Sequence, residues 1–524
     1  MTDLQAFAQG PWAERTRMRL DAERSVCDVE CAVEDLNAIC RWLDSDTPFR
    51  FAGLVVEETS SAWELRYVFY RERSAGWVHL LVRQPLSKPT FPSVSSFLYA
   101  ADWHEREAED LFGLNFEGHP RLGDFVLHND RWHENLEPMR HAFDGGQPVL
   151  RREPDIHWRP RRVVEAPGAF GMPIGPIFGG VTESVHFLLE TVGEDVIRTV
   201  RRLFYKYRAV EKLVEGRTVA DAVLLAERFA ATTGFAHALA YCQAVETISG
   251  VAVPPRARVL RVLLAELERF RHHVGAIQEI CESTSLVVAA SQAAMLEEQL
   301  LRLSGWFTGH RYLFGVAIPG GLSRNFGDSL CHAAVADART ISKGVNDLEG
   351  MLRTSSSFLD RLEEVGTVSQ DAARGYGLVG PVARASGDTA DLRRDQPYAR
   401  YERLAFDVPS EPEGDGYARL RVLFSEARQS VSIMQQAVES LPDGDVLAEV
   451  DVRPGAALGW VEAPRGPAFH WLRIGDDGRI ARYHLMTPSF ANWHGFHLAA
   501  EQFAFQDFPI ILATFDLSIA ENDR

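Results

Sequence analysis

The sequence predicts an α+β protein: an N-terminal α/β domain, then a larger, mainly α-helical domain carrying small β hairpins. Three observations predict it. Between Phe51 and Val82, apolar residues alternate with polar ones, the period of half-buried strands. From Val253 to Leu362 the period lengthens to that of amphipathic helices, enough of them for a bundle. Near 469–485 the period returns to two around the run Gly475-Asp476-Asp477-Gly478, a hairpin signal.

Taken in order, residues 1–45 read as a helical lead-in, with Val33, Leu36, Ile39 and Leu43 at helical spacing. Trp63, Leu65, Tyr67 and Phe69 form one alternating strand, and Val78, Leu80 and Val82 another. Phe91–Tyr99 reads as a short helix with Ser93 as N-cap. Asp144–Met172, rich in Gly and Pro, reads as a linker. Its run from Arg151 to Arg162 holds five arginines against two acids, which suits either a solvated segment or an acidic partner surface. Asp195–Glu215 reads as a helix, and 220–248 as a helix pair. Pro254 and Pro255 open the next helix, whose apolar stripe is Leu260, Leu263, Leu264, Leu267, Phe270 and Val274. Leu296–Leu313, Asp328–Leu362 and Tyr417–Leu441 are further helices. Phe469–Ile474 and Arg479–Leu485 are the strands of the late hairpin.

A length of 524 residues suits two or three domains, and the boundaries drawn here are 1–143, a linker at 144–172, and 173–524. The net charge of −18 excludes broad nucleic-acid binding. The N-terminal residues hold no apolar secretory core, and no run of about 18 apolar residues is present, so no direct membrane span is expected. Six cysteines make no disulfide framework. Cys27 and Cys31 would share a helix face, and Cys40, Cys242, Cys281 and Cys331 read as packing residues of a reducing compartment. The triplet His128, His133 and His141 has no common metal-site spacing, and the neighbours His272 and His273 would point apart. No phosphate-binding loop or dinucleotide fingerprint occurs.

Two groups of motifs carry more. Trp103, Glu105, Arg106, Glu107, Asp110, Phe112, Gly113, Phe116, Gly118, His119 and Pro120 keep one spacing. They resemble the signature of the 30-kDa subunit of respiratory complex I. Read alone, Arg106 and Asp110 would be a helix-face ion pair and His119 a loop residue. From Pro173 onward, FYKYRAVEKL, the stretch Glu227–Glu246, LVGPVARASGDTADLRRDQPYARY and the tail Phe515–Arg524 resemble the complex I 49-kDa subunit and the large subunit of membrane-bound nickel–iron hydrogenases. The order of the two parts resembles the large subunits of formate hydrogenlyase and hydrogenase-4.

In that family the first motif reads E-R-x-C-x-x-C-x-x-x-H and the last residues carry a second C-x-x-C. Here Ala230, Thr233, Ser518 and Glu521 occupy the four ligand positions. Nickel and iron in such a site need thiolates, so the resemblance implies no metal here and no hydrogenase activity. It also places Glu183 where hydrogenases pass protons, His237 at the motif histidine, and Arg465 over the metal face, a candidate relay beside Arg228 and Glu227. In the quinone-binding branch, the hairpin histidine positions fall at Phe178 and Thr182 and the tyrosine position at Ala231, so that proton-donor set is missing too. Without the resemblance, Glu183 is a surface carboxylate, His237 a core histidine, and Arg465 an ion-pair partner of Glu227 or Glu462.

The implied function is a peripheral-arm subunit of a complex I-like, hydrogenase-related oxidoreductase that couples electron and proton transfer to ion-pumping membrane subunits. A non-catalytic scaffold and a quinone reductase subunit with a rewired pocket are the alternatives. No cofactor is expected in this chain. A [4Fe–4S] cluster is expected in a partner small subunit, alongside antiporter-like membrane partners, at the cytoplasmic side of the inner membrane. With three residues after Glu521, no tail processing is expected.

Overall fold

In a computed structural model, residues 10, 12–22, 24–130, 132–133, 136–146, 167–178 and 183–524 are described. The first sheet has five strands: β1 (Arg17–Asp21), β2 (Val26–Cys31), β3 (Phe49–Glu58), β4 (Ala62–Arg71) and β5 (Trp77–Pro85). Their order is β1-β2-β5-β4-β3. Only β2 and β5 run parallel. The alternation in β4 turns Trp63, Leu65, Tyr67 and Phe69 fully inward. Helices α1 (Leu36–Asp46) and α2 (Asp102–Phe112) share one apolar cluster with that face, through Leu36, Ile39, Leu43, Ala108 and Leu111.

Several expectations for this half are corrected. Among the described residues of the lead-in, the helical part is α1 with the turn Val33–Asp35 before it, and Arg17–Asp21 and Val26–Cys31 form β1 and β2, paired edge to edge. Cys27 and Cys31 are therefore inward-facing strand residues. The stretch 91–99 is no helix: Thr90–Pro92 is a short strand, and the Ser93 hydroxyl donates to Glu105 Oε2 at 2.5 Å instead of capping. Arg106 and Asp110 do not pair. Asp110 accepts from the amides of Phe125 and Leu127, while Arg106 lies over the Phe125 ring. Both side chains find buried partners, which outweigh a solvated ion pair worth a few tenths of a kcal/mol.

The second half opens on a sheet of β6 (Ala169–Ile174), β7 (His186–Val192) and β8 (Asp195–Arg202), with Phe503–Ala504 at its edge. Strand β6 begins inside the stretch read as linker and runs past its end at Met172. The rest of that stretch from 147 to 166, with its basic run, is outside the described residues, as is Thr182. Strand β8 also takes the first part of the helix read over 195–215, of which only Val210–Val214 is helical. In it Val196 and Val200 pair across to Thr191 and Leu188.

The helices follow the sequence reading closely: α3 (Val219–Arg228), α4 (Gly234–Ser249), α5 (Pro255–Ser283), α6 (Val287–Thr308), α7 (Asp328–Leu352) and α8 (Gly416–Glu439). Helix α5 is the central rod. It packs against α6 and α8, and 22 of its 29 residues are buried. That is far more than one apolar stripe, so its charged face is buried as well. A last antiparallel sheet, β9 (Gly455–Ala463), β10 (Gly466–Ile474) and β11 (Ile480–Met486), packs against α4. Helices α9 (Pro488–Gly495) and α10 (Phe508–Phe515) and a final turn, Ile519–Asn522, close the chain.

The halves share a core. Val55, Val68, Tyr70 and Trp77 of the first sheet cluster with Leu458, Phe469, Trp471 and Met486 of the last. Arg473 closes onto Glu57 at 2.6 and 2.7 Å beside this seam. No helix among the described residues is long and apolar enough to cross a membrane.

Candidate functional site

The turn between α3 and α4 lies against the final turn of the chain. The four positions singled out in the two motifs meet there. The Thr233 hydroxyl donates to Glu521 Oε1 at 2.7 Å. The Ser518 hydroxyl caps the last turn by accepting from the Glu521 amide at 3.1 Å. Ala230, 1% exposed, contributes a methyl group and a carbonyl that accepts from the Thr233 amide.

Glu521 is the centre of this cluster and is fully buried. Ser489, at the start of α9, donates to Oε2 at 2.5 Å. Arg465, in the β9–β10 turn, places Nη1 at 3.4 Å from Oε1, and His237 places Nε2 at 3.6 Å from the same oxygen. Burial opposes ionisation of Glu521. The Arg465 charge, then the His237 and Ser489 contacts, outweigh it and hold the carboxyl well below the usual range.

Two arms extend from Glu521. On one side Arg465 bonds the backbone oxygen of Asp516 at 2.6 Å and its carboxylate at 3.1 Å. Asp516 in turn meets His272 Nε2 at 2.6 Å. Burial, offset only in part by Asp516, lowers the His272 pKa to about 4, so this ring is neutral. On the other side His237 Nδ1 lies 3.0 Å from His470 Nε2, and His470 Nδ1 lies 2.8 Å from the Tyr483 hydroxyl. With His470 accepting at Nδ1 from the Tyr483 hydroxyl, its Nε2–H donates to His237 Nδ1. Burial, then the neighbouring His237, keep His470 neutral by pushing its pKa well down. Tyr483, His470 and His237 thus form a line of hydrogen bonds inside the core, and His237 Nε2 ends 3.6 Å from Glu521 Oε1.

His237 and Arg465 converge as the sequence reading placed them, though the partners of Arg465 are Asp516 and Glu521, not Glu227 or Glu462. Glu227 accepts from the Gly315 amide at 2.5 Å. Glu183 stands at the margin, accepting from the Ala520 amide at 3.0 Å. Three positions lie outside the cluster. The Arg228 side chain is 56% exposed and lies over Phe314. Ala231 is exposed, and Phe178 packs against the N-terminal core. Sequence reasoning missed Ser489, Asp516, His272 as a partner, His470 and Tyr483. None stands in a motif cysteine or histidine position, and their only common property is the tertiary meeting of four distant segments.

A second buried polar group adjoins the first through α5. Glu268 accepts from the amides of Phe235 and Ala236 at 2.8 and 2.9 Å, anchoring the start of α4. Burial raises its pKa to about 7, and the nearby arginines and amides restrain the rise only partly. A carboxyl raised from 4.5 favours the folded state below pH 4.5 and loses that contribution as pH climbs through 7. Stability of the wild type is expected to fall across this window by at most about 1.4 kcal/mol per pH unit from this group. Urea denaturation at several pH values checks it. The Glu268→Gln variant should lack that share of the slope, and an identical slope would contradict it.

The architecture, an α/β domain of the 30-kDa type fused ahead of a helical domain of the 49-kDa type, defines a class of oxidoreductase-complex subunits. Residues 29–149 match the family described as respiratory-chain NADH dehydrogenase, 30 Kd subunit. Residues 287–453 and 446–524 match the 49 Kd subunit of the same enzyme. Residues 208–276 match nickel-dependent hydrogenase. Formate hydrogenlyase subunit 5 of Escherichia coli K12 is 30% identical over 473 residues, covering 87% of this chain and 81% of the relative. Hydrogenase-4 component G of the same organism is 30% identical over 453 residues, covering 86% and 78%. The C/D-type subunit of NADH-quinone oxidoreductase from Bdellovibrio bacteriovorus is 31% identical over 356 residues, covering 66% and 62%. The chain belongs to the family of formate hydrogenlyase subunit 5 and hydrogenase-4 component G.

Proposed function

We propose that this chain is the large peripheral-arm subunit of a membrane-bound, complex I-like oxidoreductase, and that it works without a nickel–iron centre. It receives electrons beside an Fe–S small subunit and couples their arrival, and that of protons, to ion-pumping membrane subunits. The observation that carries this reading is the buried Glu521 carboxylate, engaged by Thr233, Ser489 and Arg465. The donor set does not suit a nickel–iron pair. Ala230 has no donor, the Thr233 and Ser518 hydroxyls are neutral and engaged, and Glu521 is one hard oxygen. All six cysteines are elsewhere, none paired with this cluster. Metal analysis of the intact complex, purified without oxygen, tests it. Iron in multiples of four with no stoichiometric nickel is expected, and nickel near one per chain would overturn the proposal.

The polar file makes a proton relay the better account than an inert scaffold. A proton arriving at the Tyr483 oxygen lets the hydroxyl proton pass to His470 Nδ1 and the His470 Nε2 proton pass to His237 Nδ1, across two hydrogen bonds; His237 Nε2 gives its proton to Glu521 Oε1 once the ring closes the remaining 3.6 Å. Arg465 and His237 meet at that carboxylate; Glu183, bonded to the next backbone amide, is the candidate exit. Tyr483→Phe removes the terminal proton while keeping the ring. Turnover of the assembled complex is expected to fall at least about ten-fold, with Fe–S content unchanged. Unaltered turnover would favour the scaffold.

A further inference from the structure

At the seam between the two domains, three buried side chains with metal-binding atoms face one another. His104 and Glu107 stand at i and i+3 on α2, one face of that helix. His484 comes from β11. Their exposures are 7%, 5% and 5%. One ligand atom of each lies within 4.8 Å of those of the other two.

Two features point to a ligand rather than to ordinary packing. His104 Nδ1 and His484 Nε2 are buried with no hydrogen-bond partner among the described residues. Leaving a buried ring nitrogen unpaired is costly, and two such rings beside one carboxylate call for an occupant. Further, His484 Nδ1 lies 3.1 Å from the Glu211 carboxylate. A carboxylate behind the ring accepts from Nδ1–H, which turns the Nε2 lone pair toward the pocket and fixes the ring's direction, the arrangement that orients metal-bound histidines. The His104 ring is held between Phe51 and Phe490, at 5.5 and 5.0 Å.

We propose that His104, Glu107 and His484 form a structural zinc site that clips the N-terminal domain to the last sheet. Two imidazole nitrogens and one carboxylate oxygen are a zinc set, with water or the second Glu107 oxygen as fourth ligand. Zinc bonds of about 2.0–2.1 Å put tetrahedral ligands roughly 3.3 Å apart, so side-chain rotation closes the triangle by up to about 1.5 Å. The surrounding charge tunes the affinity. Glu107 and Glu211 face Arg524 and Arg482, with Arg524 Nη2 at 2.6 and 2.8 Å from the two Glu107 oxygens. Arg524 competes for the Glu107 ligand.

The full-length chain, stripped of metal with a chelator, is titrated with Co2+ and then with Zn2+. One Co2+ per chain with the visible absorption of tetrahedral cobalt is expected, displaced by Zn2+. Zn2+ is expected to raise the wild-type Tm. His104→Gln and His484→Gln should each bind at least about ten-fold more weakly and lose the Tm shift. Their metal-free circular dichroism is compared with the wild type to confirm folding. Arg524→Gln keeps both histidines and removes the competing charge, so it should bind more tightly. Absence of stoichiometric binding by the wild type would overturn the site and assign the orphan nitrogens to a buried water. Equal binding by His484→Gln would overturn it as well, placing the ion on other residues.

Discussion

Replacing Arg384 by alanine is expected to destabilise the chain by about 3–5 kcal/mol, measured as a shift in urea or thermal denaturation. Arg384 is fully buried and bonds Glu426 at 2.7 Å and Glu462 at 2.9 Å, with Asp391 at 3.8 Å. Burial favours the neutral form of Glu426, and Arg384, the His273 hydrogen bond and Arg269 together reverse that preference. Removing the guanidinium strands carboxylates in a dry core, where the cost of an uncompensated charge exceeds the worth of the pair. The neighbouring Arg393 cannot step in, because it is already committed to Glu266 at 3.0 Å and Asp391 at 2.7 Å. A change below about 1 kcal/mol would mean that solvent reaches this network.

Glu521→Ala is expected to cost a similar amount, about 3–5 kcal/mol, and Glu521→Gln about 1–2 kcal/mol. The alanine leaves the Thr233 and Ser489 hydroxyls without their acceptor and opens a polar hole beside Arg465. Glutamine keeps the size and an acceptor oxygen but loses the charge; Arg465 retains Asp516. The pH dependence separates the two contributions. A carboxyl whose folded pKa is depressed stabilises the fold above its unfolded value near 4.5, and that share is lost as pH falls through the folded pKa. The gap between wild type and Glu521→Gln should therefore narrow below about pH 4.5. A gap that stays constant into acid would show that the charge of Glu521 contributes nothing.

Local signals were legible where one face of an element carried the pattern. The β4 alternation, the apolar stripe of α5 and the hairpin around Gly475–Gly478 each report a period set by backbone geometry alone. The signals failed where partners override propensity. Residues 195–202 are a strand because β7 pairs with them, and Ser93 serves Glu105 rather than a helix end. The α5 stripe was correct but partial. Its other face, Glu266, Glu268, Arg269, Arg271, His272 and His273, is as buried as the first, a fact no helical period contains.

The candidate site divides the same way. The sequence by itself determined that residues 227–246 and 515–524 keep the frame of two matched motifs with no cysteine in the ligand positions. The resemblance singled out Glu183, His237 and Arg465 as a candidate relay and Glu521 as one of the four ligand positions. Only the tertiary structure decided that His237 and Arg465 approach Glu521, that Ser489 and Thr233 hold the carboxylate, and that His470 and Tyr483 extend from His237. The reason is physical. A motif records spacing along one segment, whereas the protonation and pairing of a buried group depend on what distant segments bring within about 3 Å of it. Those segments here are the turn after α3, the β9–β10 turn, the start of α9 and the end of the chain.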